Sequence, residues 1–311
     1  ARSFHPMMRP LLVLLLSQVA TAAYDEAVAT SALYYASAAY CPPGKVGTWS
    51  DMSSSCSAST SGFTVLNTFS VSPDDDDITQ STHAFAYVGV DSERGWVVGA
   101  FKGSNQTADF ATDISGGLRL FSSCEIAGNN FGHVHKGFCN YYKGISEAGF
   151  ASAFSSALKA NPTYTPIMIG HSLGGAAAVL AAMDIHAQFQ VQSVVYTYGQ
   201  PRVGNYDFSQ DFSSAVAEAY RVVHSSDMVA HLPYCCVGLS GCRKTTECPY
   251  HTTDEIWYNN DMDLAAGDTY VTCDGGEDSS CENTINLSIS DHLKYFEIDV
   301  GNACCFVDGE E

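Results

Sequence analysis

The sequence predicts an α/β fold in which a mainly parallel central sheet carries helices on both faces. Three observations lead there. Short β-type apolar runs alternate with helical stretches, the pattern of strands joined by crossover helices. One alternation, Pro166-Ile167-Met168-Ile169 followed by an alanine-rich stretch from Ala176 to Ala187, is joined by Gly170-His171-Ser172-Leu173-Gly174-Gly175. Finally, 311 residues, 46% hydrophobic and 15% charged, supply a core for one large domain and carry no signature of disorder.

From the N-terminus, Arg9 precedes an apolar run from Leu11 to Leu16, and Ala20-Thr21-Ala22 fits a small-residue cleavage site. Residues 1–22 are therefore expected to be a secretory signal with upstream residues before Met7, and 23–311 a single domain. The run is too short to span a bilayer; a membrane anchor or core segment is the alternative. Tyr24 to Tyr40 has helical spacing and stops before Pro42-Pro43-Gly44, while the serine-rich stretch from Ser50 to Ser61 reads as loop. Four aspartates, Asp74 to Asp77, lack the ligand spacing of a known calcium loop and read as a solvated turn. Ala84 to Val90 and Trp96 to Phe101 read as two strands joined by a hairpin at Asp91 to Gly95. Tyr141 to Lys159 is expected to be one amphipathic helix, stopped by Asn161-Pro162. Val194 to Tyr198 and Tyr220 to Val223 are further strands, and Cys235 to Cys281 reads as surface loops stapled to the sheet.

Charge and cysteine content narrow the function classes. The balance of 14 basic against 34 acidic residues, net −20, argues against nucleic-acid binding and against anionic membranes. Loss of Arg2 and Arg9 with the leader makes the chain more acidic still. Twelve cysteines, all outside the leader, agree with an oxidising compartment. The cluster Cys235, Cys236, Cys242 and Cys248 admits a zinc reading, but adjacent cysteines behind a leader favour disulfides, whose pairing the sequence leaves open. Asn105-Gln106-Thr107 and Asn286-Leu287-Ser288 are N-glycosylation acceptors on that route.

The chemistry centres on Ser172. Strand, G-x-S-x-G and helix make a sharp turn that exposes a serine and needs Gly170 and Gly174 without side chains. A serine hydroxyl attacks only when a base takes its proton and an acid orients that base. Where such elbows occur, the acid and then the histidine follow along the chain. Asp227 follows the Tyr220 run, and His292 stands in Ser290-Asp291-His292-Leu293-Lys294-Tyr295-Phe296 near the C-terminus. Asp207 and Asp211 read as helix-start residues, His231 precedes Leu232-Pro233, and His251 lies among the cysteine loops, so these competitors are set aside. His171 is excluded because neighbours on the turn point apart. A developing oxyanion needs fixed N–H donors. Leu173, next after the nucleophile, and Ser104, at the end of the Trp96 strand, are the candidates.

With Phe101-Lys102-Gly103-Ser104, Val134-His135-Lys136-Gly137-Phe138, Gly170 to Gly175, Tyr198-Gly199-Gln200-Pro201-Arg202-Val203-Gly204-Asn205, Asp227 to Pro233 and Ser290 to Phe296 in this order, the chain resembles the secreted fungal class 3 lipases, α/β-hydrolases. The resemblance implies Ser172 as nucleophile, Asp227 as orienting acid, His292 as base and acid, and Ser104 with Leu173 as the oxyanion hole. It also implies a bridge from Cys41 to Cys304 or Cys305, and one between Cys273 and Cys281. A lid is implied over Gln106 to Gly116, with Phe110, Ile114 and Leu118 as its apolar residues; flanking Thr107, Asp109, Thr112 and Asp113 make it thin.

The resulting expectation is a secreted, monomeric carboxylic ester hydrolase acting on acylglycerols with transient contact to a lipid interface, without cofactor or metal. An esterase for soluble or plant-wall phenolic (feruloyl-type) esters, and an inactive binding protein on the same scaffold, stay open as alternatives.

Overall fold

The computed structural model describes residues 23–72, 83–115, 121–238, 241–278, 280–281 and 287–306. Its central sheet has eight strands, ordered Phe63–Val71, Ala84–Asp91, Trp96–Phe101, Thr165–His171, Val194–Tyr198, Glu218–His224, Glu255–Tyr258 and Val271–Cys273. Trp96–Phe101 through Glu255–Tyr258 run parallel, and the outer strands are antiparallel. A smaller four-stranded sheet joins Pro249–Tyr250, Gly204–Asn205, Asn129–His135 and Phe121–Ile126.

Alternate residues of the inner strands enter two separate apolar layers, as the two-residue period requires. Val97, Phe101, Met168 and Val195 face one layer, packed with the helices Lys136–Glu147, Phe150–Ala160 and Leu173–Phe189. Val98, Ile167, Ile169 and Tyr196 face the other, under the helix Glu26–Ala38 and the C-terminal stretch around Tyr295 and Ile298. Burial from both sides is why the parallel strands read as continuous apolar runs rather than alternating ones.

The helix Glu26–Ala38 starts where Asp25 accepts backbone bonds from Ala27 at 2.8 Å and Val28 at 3.0 Å. The helix after the serine, Leu173–Phe189, is buried without a gap from Leu173 to Ile185. It packs on the strand Thr165–His171 and on the helix Lys136–Glu147. Its alanines give close approach on both sides at low conformational cost.

Three expectations are corrected. The stretch Tyr141 to Lys159 is two helices, Lys136–Glu147 and Phe150–Ala160, broken at Gly149, whose φ of 102° no continuous helix tolerates. Within the serine-rich stretch, Ser54–Ser59 forms a short helix because Ser53 Oγ accepts from Cys56 N at 3.2 Å. And Cys235 to Cys281 is not all surface loop. Glu255–Tyr258 pairs in parallel with Glu218–His224, and Val271–Cys273 closes the sheet edge. Its strand signal is only four residues long and lies among turn residues.

The twelve cysteines form six bridges: Cys41–Cys305, Cys56–Cys304, Cys124–Cys139, Cys235–Cys242, Cys236–Cys248 and Cys273–Cys281. Among the described residues only Cys235, Cys242 and Glu277 gather closely enough to suggest a metal, and the two sulfurs there are bonded to each other. The segment expected to form a lid is a helix from Thr107 to Ile114, with Ala111 and Ile114 buried in the core. The side chain of Phe110 lies outside the description, as do Leu118, the expected leader 1–22, the aspartates 74–77 and Asn286.

Candidate active site

Ser172 ends the strand Thr165–His171 and begins the helix Leu173–Phe189, with φ 59° and ψ −129°. That left-handed angle is strained for a serine and holds only because the surroundings over-determine it. A Cβ on Gly170 would lie 2.0 Å from the Gly174 carbonyl oxygen, and one on Gly174 would lie 2.2 Å from that of Phe101. Both neighbours are backbone and cannot give way, so the elbow requires two glycines.

Asp227 and His292 meet beside it. His292 Nδ1 lies 2.9 and 2.8 Å from the two carboxylate oxygens of Asp227. Tyr295 donates its phenol to the same carboxylate, and the amides of Val229 and Ala230 donate at 2.8 and 3.3 Å. Burial would raise the Asp227 pKa, but the neighbouring His292 and the bonds from His292 and Tyr295 outweigh it and hold the group at about 2. With Nδ1–H directed at this carboxylate, His292 keeps Nε2 unprotonated, the tautomer a general base needs.

Ser172 is tied to this pair through its chain neighbours. Its amide donates to the Tyr198 carbonyl at 2.9 Å, and the next residue, Gly199, lies against both partners. A Cβ on Gly199 (φ 56°) would sit 2.5 Å from Asp227 Oδ2 and 2.6 Å from His292 Nδ1. Ser172 Oγ and His292 Nε2 are both buried, and neither has a hydrogen-bond partner among the described residues. The acid–base bond is thus made, while serine and base make no bond to each other.

His171 turns away from the serine, as the sequence predicts, but not out of the site. Its ring stacks on His292 at 4.4 Å between centroids. Its Nε2 donates to the His292 carbonyl at 2.7 Å, and its Nδ1 accepts from the Tyr40 hydroxyl at 2.7 Å. Burial lowers its pKa to about 3, which keeps it neutral and fixes those roles. A Cβ on Gly103 would come 2.0 Å from the Tyr40 hydroxyl, so the end of the strand Trp96–Phe101 also rests on this chain of contacts. His224 Nδ1 bonds the carbonyls of Asp291 and Lys294, clamping the loop that carries His292.

Ser104 is buried, and its Oγ accepts from Gln106 N at 3.1 Å. Leu173, also buried, opens the helix, where backbone N–H groups favour a developing negative charge. Of the set-aside residues, Asp207 and Asp211 lie in the helix Tyr206–Ala215. His231 bonds the backbone carbonyl of Asp227 at 2.7 Å, not its carboxylate, and His251 is buried.

The Asp227 loop is anchored from below. Arg202 makes a two-point bond to Glu277, at 2.7 and 2.6 Å, and donates to the carbonyls of His231 and Pro233. The side chains are only 4% and 3% exposed, so removing one charge strands the other. Glu277→Gln is expected to cost about 3–5 kcal/mol in urea unfolding; an unchanged midpoint would show that the pair is not needed.

A cavity of about 780 Å³ opens beside Ser104 and His171, bounded also by Tyr40, Asn105, Leu293 and Phe306.

Sequence misses four residues of this neighbourhood: Tyr40, His171 as a partner, Gly199 and Tyr295. Only Gly199 leaves a trace, as the glycine after a strand in Tyr198-Gly199-Gln200-Pro201.

The family model "Lipase (class 3)" matches residues 98–237. A secreted mono- and diacylglycerol lipase of Fusarium solani is 34% identical over 218 residues, 68% of this chain and 60% of that one. A lipase of Rhizomucor miehei is 31% identical over 218 residues, 68% of this chain and 54% of the relative. The chain thus spans between about half and three-fifths of these curated relatives. The solved structure of Rhizomucor miehei triacylglyceride lipase superposes with a TM-score of 0.71 at 25% identity, covering 90% of this chain and 97% of that chain. For the lipase of Rhizopus microsporus var. chinensis the TM-score is 0.72, covering 91% of each chain at 25% identity. Motif order, the eight-stranded sheet and these matches make the chain a member of the class 3 lipase family, with the α/β-hydrolase fold.

Proposed function

We propose that this protein is a secreted serine hydrolase of acylglycerol esters. The observation that carries the reading is the buried Asp227–His292 pair, its free Nε2 set beside a serine on a strained elbow. Ser172 Oγ attacks the ester carbonyl while His292 Nε2 takes its proton. The tetrahedral oxyanion is held by donors from Ser104 and Leu173. The C–O bond then breaks as His292 returns the proton to the leaving alcohol, and water, activated by the same histidine, releases the acid from Ser172. The chemistry draws on side chains and backbone alone.

The relatives named as mono- and diacylglycerol lipases support an acylglycerol substrate. The six bridges and the secreted relatives support export. The reading takes residues 1–22 as the leader, 23–311 as one domain and a monomer as the working form. No helix among the described residues is long and apolar enough to cross a membrane. A second reading, an esterase for soluble or phenolic esters, draws on the lid: its helix is eight residues long and exposes Ala108, Thr112 and the following Ser115. Among the described side chains of that helix, this is little apolar surface to offer an oil–water interface.

Purified protein treated with diethyl p-nitrophenyl phosphate, then digested and weighed, tests the nucleophile. A diethylphosphoryl increment on the Ser172 peptide, with loss of p-nitrophenyl butyrate and emulsified triolein hydrolysis, is the expected result. An unlabelled Ser172 in active protein would overturn the assignment. Turnover of the butyrate ester alone would favour the second reading.

A further inference from the structure

Of the acceptor sequons, Asn105-Gln106-Thr107 falls where the candidate site opens. Asn105 follows Ser104 directly, is exposed, and lines the 780 Å³ cavity together with Ser104 and His171. Its carboxamide makes no hydrogen bond to any described residue, so none of them claims its nitrogen. The loop beneath it is fixed. Gln106 N–H is bound by Ser104 Oγ at 3.1 Å, and Thr107, only 9% exposed, starts the lid helix. A group attached to Asn105 would therefore stand at a set point, one residue from an oxyanion donor and at the hinge of the lid.

We propose that Asn105 carries an N-linked glycan that screens the mouth of the site, admitting single dissolved esters and holding back lipid surfaces. The gating half rests on the hydrolase reading above; the modification does not. In the transfer, the Asn105 carboxamide nitrogen attacks C1 of a polyprenyl-pyrophosphate-linked oligosaccharide. The N–C1 bond forms, the C1–O bond to phosphate breaks, the amide loses one proton, and the polyprenyl pyrophosphate leaves. Because Thr107 is only 9% exposed once the helix forms, transfer belongs to the unfolded chain as it crosses into the oxidising compartment. That compartment is also where six disulfides form.

The selectivity follows from shape. A dissolved ester is small and passes around a mobile sugar chain. A droplet or bilayer is a continuous surface that must meet the whole mouth, so it has to displace or dehydrate a bulky, strongly hydrated group anchored there. The apolar rim residues Leu293 and Phe306, both exposed, lie around the same opening, so the glycan competes with the surface an interface would use.

The full chain, secreted from a yeast, is digested and the peptide carrying Asn105 weighed. A hexose-bearing increment is expected; it should be lost in Asn105→Gln and Thr107→Ala and kept in Thr107→Ser. Bare Asn105 in wild-type protein overturns the proposal. The intact glycoform is then compared with one trimmed to a single sugar by endoglycosidase, so that no residue differs. Trimming should raise triolein hydrolysis several-fold and leave p-nitrophenyl butyrate hydrolysis unchanged. Equal triolein rates in active glycoforms overturn the gate. Inertness of both glycoforms on both esters overturns the hydrolase reading instead, while the peptide mass still decides the modification.

Discussion

Alanine at Ser172 is expected to lower kcat on p-nitrophenyl butyrate by about six orders of magnitude, and asparagine at Asp227 by about four. The serine effect is the larger because no covalent intermediate forms without it. Only the donors near Ser104 and Leu173 then remain to act on a water attack. The asparagine effect has a different origin. A carboxamide at this position would present an N–H₂ group or a single carbonyl where His292 now finds a carboxylate, 2.8 Å from Nδ1. The imidazole would favour the tautomer with its proton on Nε2, facing the serine, where it cannot act as base. KM should change little in either variant, since each removes a chemical step and leaves the residues lining the open cavity in place. The two losses should not add, because each removes the same assembled machine. Steady-state kinetics on folded single and double variants decide it: an Asp227→Asn enzyme within tenfold of wild type would sink the role given to that residue.

The second large effect concerns acid stability. His135 and His171 are buried, and burial lowers their pKa values from 6.5 to about 4 and about 3. His251, buried near Arg221 and Arg202, is pushed in the same direction, first by burial and then by those cations. His135 and His171 are neutral in the folded protein at pH 5, and His251 is pushed toward its neutral form, whereas an unfolded chain protonates all three below pH 6.5. The unfolded state then binds more protons, so stability must fall as the pH drops through 6.5 toward 4. At about 1.4 kcal/mol per pH unit, His135 and His171 each cost about 2 kcal/mol between pH 7 and pH 5. With a further loss from His251, that consumes much of a typical stability of about 5–15 kcal/mol. Asp227, held at about 2 against an ordinary 3.8, adds its own loss only below pH 3.8. Urea midpoints should be flat above pH 7 and fall steeply toward pH 4.5, and His135→Phe should shallow that slope by about one third if the three contribute alike. A midpoint constant down to pH 4.5 would mean these histidines are protonated in the fold.

Much of the architecture is legible in the sequence because the parallel strands are buried on both faces and so stand out as apolar runs bounded by glycine, proline and polar residues. Val194–Tyr198 is a case, and its helix partner Leu173–Phe189 is plain from its alanines. Legibility fails where a residue's partners are remote. Glu255–Tyr258 is too short to show a period, and only pairing with Glu218–His224 makes it a strand. The break at Gly149 hides because helical spacing continues on either side of it. At the site, chain order and element context suffice to nominate Ser172, Asp227 and His292, since the chemistry demands those residue types. Tyr40, 131 positions from His171, can be linked to it only once the fold brings them together. Gly199 is instructive in the other direction: a glycine in the sequence proves to reserve the space in which acid and base meet.

The two long-range bridges have a topological consequence. Cys41–Cys305 and Cys56–Cys304 span 264 and 248 positions, so they join the first helical segment to the last turn and close almost the whole sheet into a covalent ring. A single cut anywhere between residues 57 and 303 opens the ring without releasing a fragment. A nicked molecule can then keep its strands registered and its serine, acid and base on one covalent body. For the secreted hydrolase proposed above, backbone cleavage and loss of the molecule become two separate events.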